Sequence, residues 1–305
     1  METIKVKSPA TLSNLCCGFD ILGMALNEPY DIIQLTKTNT PGIVIKHVDF
    51  YGLPTDPQKN IAGVALKSMI DALKYEGGFD MTIEKKIKPG SGIGSSAASA
   101  AGIVVAANEL LGKPFSKNEL VKFAMEGEVL ASGSRHADNL APCIYGGLVL
   151  IRDTPTMDII PLDTPPLFIT IVHPQIEIKT SYAREILPKE VPLKKAVVQW
   201  ANVAGLVSGF LQHDYDLISR SLTDVIVEPV RSKLIPGFDE VKKKGLEAGA
   251  LGGGISGSGP SLFMLSQNEE TANKVETEMK KIYDHLGIEY KTYVSAVAKN
   301  GVEVF

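Results

Sequence analysis

The sequence predicts an α+β fold in two domains, and three observations carry that prediction. Its 305 residues suffice for two cores of ordinary size. Short runs rich in β-branched residues fill the first third, whereas the second half alternates helical and extended patterns. Between them the proline cluster "DTPPL", residues 163–167, divides the chain into domains 1–165 and 166–305.

In the first domain, "TIKVKS", "YDIIQLT" and "GIVIKHV" read as strands separated by Pro, Gly, Asn and Asp. "NIAGVALKSMIDALKY" carries Val64, Leu66, Met69, Ile70 and Leu73 at helical spacing and stops before Gly77-Gly78. "FDMTIEKKI" alternates as a strand and runs into the glycine-rich "PGSGIGSSAASA". "SSAASAAGIVVAANELLG" follows as a helix with two serines available as caps. Ser116 and Glu119 form a capping-box pattern ahead of "ELVKFAMEGEVLA", and "GGLVLI" closes the domain as a strand. In the second domain "FITIVHP", "SLFMLS" and "KTYVSAV" read as strands. Helices are predicted at "TSYAREIL", "LKKAVVQWANVAGLVSGFL", "YDLISRSLTDVI", "GFDEVKKKGLEA" and "ETANKVETEMKKIYDHL".

Composition narrows the function. A net charge of -4 offers no basic excess for a phosphate backbone, so nucleic acid is not an expected partner; Lys242-Lys243-Lys244 reads as a solvated helix face. No segment reaches the length of a membrane span, "METIKVKSPATL" does not resemble a signal peptide, and a cytoplasmic location is expected. Cys16, Cys17 and Cys143 fit neither a disulfide framework nor a CxxC site and read as buried thiols. The five histidines form no HxxxH or HExxH pair.

The glycine-rich loop sits between a strand and a helix, where unpaired amides and a partial positive charge favour an anion. Gly90, Gly92 and Gly94 let an anion approach, while Ser91, Ser95 and Ser96 add hydroxyls. The dipole contributes only about 0.3–1 kcal/mol, whereas each hydrogen bond to a charged group contributes roughly 1.5–3, so several amides must converge. A flexible link to a closely packed alanine-rich helix is the competing explanation. The chain has no Walker lysine motif. The formal G-x-G-x-x-G at Gly252, Gly254 and Gly257 follows a helix and precedes a strand, the reverse of dinucleotide-binding order. Its stretch "LGGGISGSGPSLFML" reads as a second glycine-rich turn, and the two loops suggest two walls of one site.

Taken together, "GSGIGSSAASA", "GGGISGSGPSLFML" and "SPATLSNLCCGFDILGMAL" resemble the motifs of the GHMP small-molecule kinases, homoserine kinase branch. "SGSRHADNLAPCIYGG", "TSYAREILP" and "DVIVEPVRSKLIPGF" extend the resemblance over residues 4 to about 263. Ile93 stands where Leu is usual, Pro89 falls one place late, and Cys16-Cys17 replace small residues. The resemblance implies an N-terminal domain like ribosomal protein S5 domain 2 and a ferredoxin-like C-terminal domain. It further implies ATP-dependent phosphorylation of the L-homoserine side-chain hydroxyl, a step towards threonine, with Mg2+ on the nucleotide, by a homodimer.

Site residues follow from the same resemblance. Lys88, Pro89, Gly90, Ser91, Gly92, Ile93, Gly94, Ser95, Ser96, Ala97 and Ala98 would form the phosphate cradle. Ser96, or Ser95 in its place, and Glu128 would hold the metal, while Asn60 would contact adenine or ribose or simply cap a helix. Asp20 would take the substrate ammonium, Arg184 and Arg231 its carboxylate, and Asn14 with Asn139 its hydroxyl, with His136 lining the pocket. Outside the family pattern the arginines read as surface helix residues, and Asn14 and Asp20 as turn formers. No side chain in these motifs reads as a general base, so catalysis by alignment and metal charge is expected. The alternatives are a related kinase of another small alcohol, or a nucleotide-binding regulator of the same fold.

Overall fold

The computed structural model describes residues 2–305, apart from the side chain of residue 132. Two sheets organise the chain. The first contains β1 (Thr3–Ser13), β2 (Leu22–Thr38), β3 (Gly42–His47), β4 (Gly78–Glu84), β5 (Leu148–Asp153) and β6 (Asp158–Leu162). Its helices are α1 (Ile61–Leu73), α2 (Ser95–Leu110), α3 (Lys117–Ser132) and the short α4 (Leu140–Tyr145). The second sheet contains β7 (Phe168–Pro174), β8 (Gly252–Ile255), β9 (Leu262–Ser266) and β10 (Tyr290–Ala296). Helices α5 (Thr180–Glu185), α6 (Leu193–Gln212), α7 (Tyr215–Ser221), α8 (Glu228–Arg231) and α9 (Phe238–Glu247) lie between β7 and β8, and α10 (Glu269–Leu286) joins β9 to β10.

The second sheet runs β10-β7-β9-β8 with every pairing antiparallel, and its β7, helices, β8, β9, α10, β10 sequence is the split βαβ arrangement of a ferredoxin-like domain. In the first sheet β1, β2 and β4 pair antiparallel, while β3 joins β4 in parallel across the α1 crossover. A final strand, β11 (Glu303–Val304), returns to pair with β1, a contact for which the short "VEVF" end carries no sequence signal.

Helix α2 lies against β1 and β2 because small residues permit a close approach. A Cβ on Gly102 would fall 2.5 Å from Ile33 Cδ1, and Ser8 Oγ donates to Ala98 O at 2.7 Å. Ile33, Leu35, Phe79, Met81 and Val104 join Leu66 and Met69 of α1 in one core. A second core, with Leu12, Leu22, Ile93, Ile171 and Phe263, ties the two sheets together. Four local expectations are corrected. Leu73 is 37% exposed rather than packed. Neither serine caps α2: Gly94 is the N-cap in the left-handed region, with no side-chain cap. Gly252, Gly253 and Gly254 belong to strand β8, where a Cβ on Gly253 would lie 1.9 Å from Phe263 O. Lys242 is not merely solvated, since its Nζ donates to the half-buried Glu228 at 2.5 Å.

Candidate active site

A cavity of about 350 Å³ opens between the two sheets, lined from one side by the loop before α2 and from the other by the turn after β8. The loop is anchored from below. Asp31, fully buried on β2, accepts from the amides of Lys86 and Ile87 at 2.8 and 2.9 Å and pairs with the Lys85 ammonium. Lys85 also donates to Ser95 O at 2.7 Å and Ser99 Oγ at 3.0 Å, so one buried cation joins the end of β4 to the start of α2. Because Ala98 N already donates to Gly94 O, the helix-start amides of Ser95, Ser96 and Ala97 lack intrahelical partners.

The two serines divide their roles. Ser95 Oγ donates to Ile87 O at 2.7 Å and so belongs to the scaffold. The Ser96 hydroxyl instead meets the Glu128 carboxylate, whose burial pushes its pKa up to about 7. Ser91 Oγ is buried at the cavity wall without a hydrogen-bond partner among the described residues, a polar atom suited to an incoming anion.

The glycines also differ. All three have positive φ, 74° at Gly90, 81° at Gly92 and 71° at Gly94. A Cβ on Gly90 would meet nothing within 4 Å, whereas one on Gly92 would lie 2.6 Å from Gly259 O. The missing side chain at Gly92 therefore admits the second glycine-rich turn. That turn is bound to the loop: Ser256 Oγ donates to Gly92 O at 2.7 Å and Ser261 Oγ to Ser91 O at 2.6 Å. The side chains of the remaining loop positions point elsewhere, which leaves backbone amides as the groups available to a ligand. Ile93, Ala97 and Ala98 turn fully buried side chains into the cores, and Lys88 reaches away to Gln175 Oε1 at 2.7 Å. Pro89 lines the cavity. Asn60 caps α1: its Oδ1 accepts from Ala62 and Gly63, while its Nδ2 faces Pro54 O and His47 Nε2, which engages the whole amide.

At the other end, Asn14 and Asp20 hold positive φ of 74° and 63°, conformations that Asn and Asp tolerate best among side-chain-bearing residues. Asn14 Nδ2 donates to Gly257 O at 2.9 Å and its Oδ1 accepts from Asp20 N at 3.1 Å. Asn139 accepts from Thr11 Oγ1 at 2.8 Å and donates to Ser13 Oγ at 3.0 Å. Asp20 receives Arg184 Nη2 on both oxygens, at 2.8 and 3.0 Å, and lies 3.7 Å from His136 Nδ1. Burial lowers the His136 pKa, favouring the neutral imidazole.

Arg231 is not a surface residue. It is 3% exposed, and donates to Ala183 O at 2.9 Å and Gly257 O at 3.0 Å. Burial and neighbouring Arg184 lower its pKa to about 10, which leaves it charged at neutral pH. Both guanidinium groups stand over Phe19, at 5.2 and 5.1 Å. Sequence reasoning missed Asp138, which lines the cavity with a pKa pushed to about 7 by burial and by Asp20. It also missed Thr11, Ser13, Asp31 and Lys85, whose polarity inside strand-like runs was the available signal.

The GHMP kinases N terminal domain matches residues 60–147 and the GHMP kinases C terminal domain residues 206–285. The homoserine kinase of Chlorobium phaeobacteroides is 44% identical with both chains covered in full. The chain belongs to the homoserine kinase family of the GHMP kinases. Another member, from Methanocella arvoryzae, is 41% identical over 100% of this chain and 98% of its own. The crystal structure of homoserine kinase from Cytophaga hutchinsonii superposes with a TM-score of 0.96 at 48% identity, covering 100% of this chain and 98% of that one. A mevalonate kinase structure, covering 98% and 100%, shares the fold with a TM-score of 0.74 at 17% identity. Among the described residues no helix is long and apolar enough to cross a membrane.

Proposed function

We propose that the chain transfers the terminal phosphoryl group of ATP to the side-chain hydroxyl of L-homoserine, giving O-phospho-L-homoserine and ADP. The observation that carries this reading is the charge order along one cavity: an amide-rich anion seat at one end, and Asp20, Arg184 and Arg231 at the other. An amino acid bearing a hydroxyl matches that order, because its ammonium needs an anion and its carboxylate a guanidinium. A substrate without an amine has no use for Asp20, which disfavours other small alcohols.

In this reading the amides of Ser95, Ser96 and Ala97, with Gly90 and Ser91, hold the triphosphate. Ser96 and Glu128 present hard oxygen donors side by side at the helix start, a set that fits Mg2+ together with phosphate oxygens. When bound, the metal neutralises charge on the transferring group. Asp20 releases Arg184 as the zwitterion enters, taking the ammonium while Arg184 and Arg231 take the carboxylate. Neutral His136 adds no positive charge beside that ammonium. Asn14 and Asn139, each fixed by two hydrogen bonds, orient the hydroxyl oxygen towards the γ-phosphorus. The new O–P bond forms as the bridge to the β-phosphate breaks, and the hydroxyl proton leaves to phosphate or water.

A second reading of the proton transfer rests on Asp138, whose buried carboxyl titrates near 7 beside Asn139. Replacing it with Asn should leave the pH profile of kcat unchanged under the first reading and remove its limb near neutrality under the second. The overall assignment is tested by coupled ADP release across a panel of hydroxy amino acids and mevalonate. Turnover should be selective for homoserine and fall in Asp20→Asn through a raised homoserine KM; ATP binding without turnover of any acceptor would leave a nucleotide-binding regulator.

We further propose domains 1–165 and 166–305, supported by the change of sheet between β6 and β7, with β11 as a return strand. A cytoplasmic homodimer serving threonine synthesis completes the reading on the strength of the family resemblance.

A further inference from the structure

Helix α6 packs inward through Gln199, Leu206 and Phe210, yet its opposite face is also apolar. Leu193, Val197, Trp200, Ala204, Val207 and Leu211 recur at intervals of 4, 3, 4, 3 and 4 residues. On a helix these six fall within an arc of about 80°, a heptad seam about 27 Å long. Leu193 is 70% exposed, Val197 51%, Trp200 61% and Leu211 51%. Ala204 is exposed as well, and Val207 is half-buried, packed in part against the second core. A seam of this spacing is what one helix offers another, and its other side is already occupied by the core.

The occupant is specified by the seam itself. Reversed about residue 202, Leu193 falls on Leu211, Val197 on Val207 and Trp200 on Ala204. A second copy running antiparallel therefore matches every seam position, and the largest side chain faces the smallest. A parallel copy would set Trp200 against Trp200. The ends agree with the antiparallel arrangement: Lys194 and Lys195 flank the start of α6, whereas Asp214 and Asp216 follow its end. Antiparallel pairing brings those lysines to the partner's acidic, carbonyl-rich helix terminus.

We propose that α6 forms the two-fold interface of a homodimer, pairing antiparallel with α6 of a second copy. This rests on the homodimer reading above and gives that dimer its surface. Sedimentation equilibrium of the full chain across a dilution series tests it, read beside the emission of Trp200, the only tryptophan. On dilution the mass should fall from two chains to one while the emission moves to longer wavelength in step. Trp200→Glu should stay at the mass of one chain throughout, with wild-type kinase turnover and a Tm that, unlike the wild type's, does not rise with protein concentration. Leu193→Cys and Leu211→Cys, treated with a short bis-maleimide, should cross-link when mixed and not separately, since the native cysteines are buried. A wild-type chain that is monomeric at every concentration overturns both the surface and the homodimer. A dimer that survives Trp200→Glu, or whose emission ignores dilution, overturns the surface alone. Cross-linking within Leu193→Cys by itself overturns the antiparallel arrangement.

Discussion

The three positive-φ glycines of the loop before α2 respond differently to the same substitution because different atoms surround them. Gly90→Ala adds a methyl to open space, so only the backbone strain of roughly 1–2 kcal/mol is expected, together with weaker nucleotide binding. Gly92→Ala drives a methyl against Gly259 O and Ser256 O, 2.6 and 2.8 Å away, and should cost about 2–4 kcal/mol once overpacking is added. Thermal melts and ATP titrations separate the two effects. At Glu128 the prediction concerns pH. Its pKa rises from 4.5 to about 7 on folding, so between those values the folded chain keeps a proton that the unfolded chain has released. Stability from this group therefore falls as pH rises across that window and levels above it. Glu128→Gln should flatten that part of the slope in melts at pH 5 and pH 8, whereas metal-nucleotide binding to the native chain should strengthen through pH 7 with proton release. The sequence made the loop legible as an anion seat because glycine and serine in that order have few other uses. It did not show which glycine faces open space and which faces protein, since that depends on a turn more than 150 residues away.

Among the elements, α8 shows how a carboxylate ahead of a short helix can fix its start. Asp224 accepts the amides of Ile226 and Val227 at 2.9 and 3.0 Å and that of Glu228 at 2.9 Å, fixing the short helix that ends in Arg231. Gln199 of α6 donates to the same carboxylate at 2.9 Å. Asp224→Ala should lower stability by about 2–3 kcal/mol and raise the homoserine KM while leaving the ATP KM near wild type. Steady-state kinetics with each substrate varied in turn would check the split. Helix α3, by contrast, announced itself: Ser116 and Glu119 form both bonds of the capping box, at 3.4 and 2.8 Å. Long periodic helices and alternating strands were readable from local pattern alone. Strand β8 was not, because three glycines give no alternation and are dictated by Leu222 over Gly252, Phe263 O over Gly253, and Glu228 and Cys16 over Gly254.

For the molecule as a whole, sequence pattern implied two α+β units but could not give strand order, and the return of β11 to β1 depends on contacts between the chain's two ends. The union of the halves was equally hidden. It runs through the second core and through the serine hydroxyls that cross from one glycine-rich loop to the other. The double variant Ser256→Ala/Ser261→Ala should lose about 1–3 kcal/mol and lower kcat by loosening the loop before α2, measurable by denaturant titration and single-turnover rates. Both hydroxyls end on backbone carbonyls of residues that line the cavity, Gly92 and Ser91. A swing of one half away from the other would have to break both hydrogen bonds. The two hydroxyls thus latch the halves together beside the cavity, whereas Leu53, Pro54 and Lys59 line it from the first half alone.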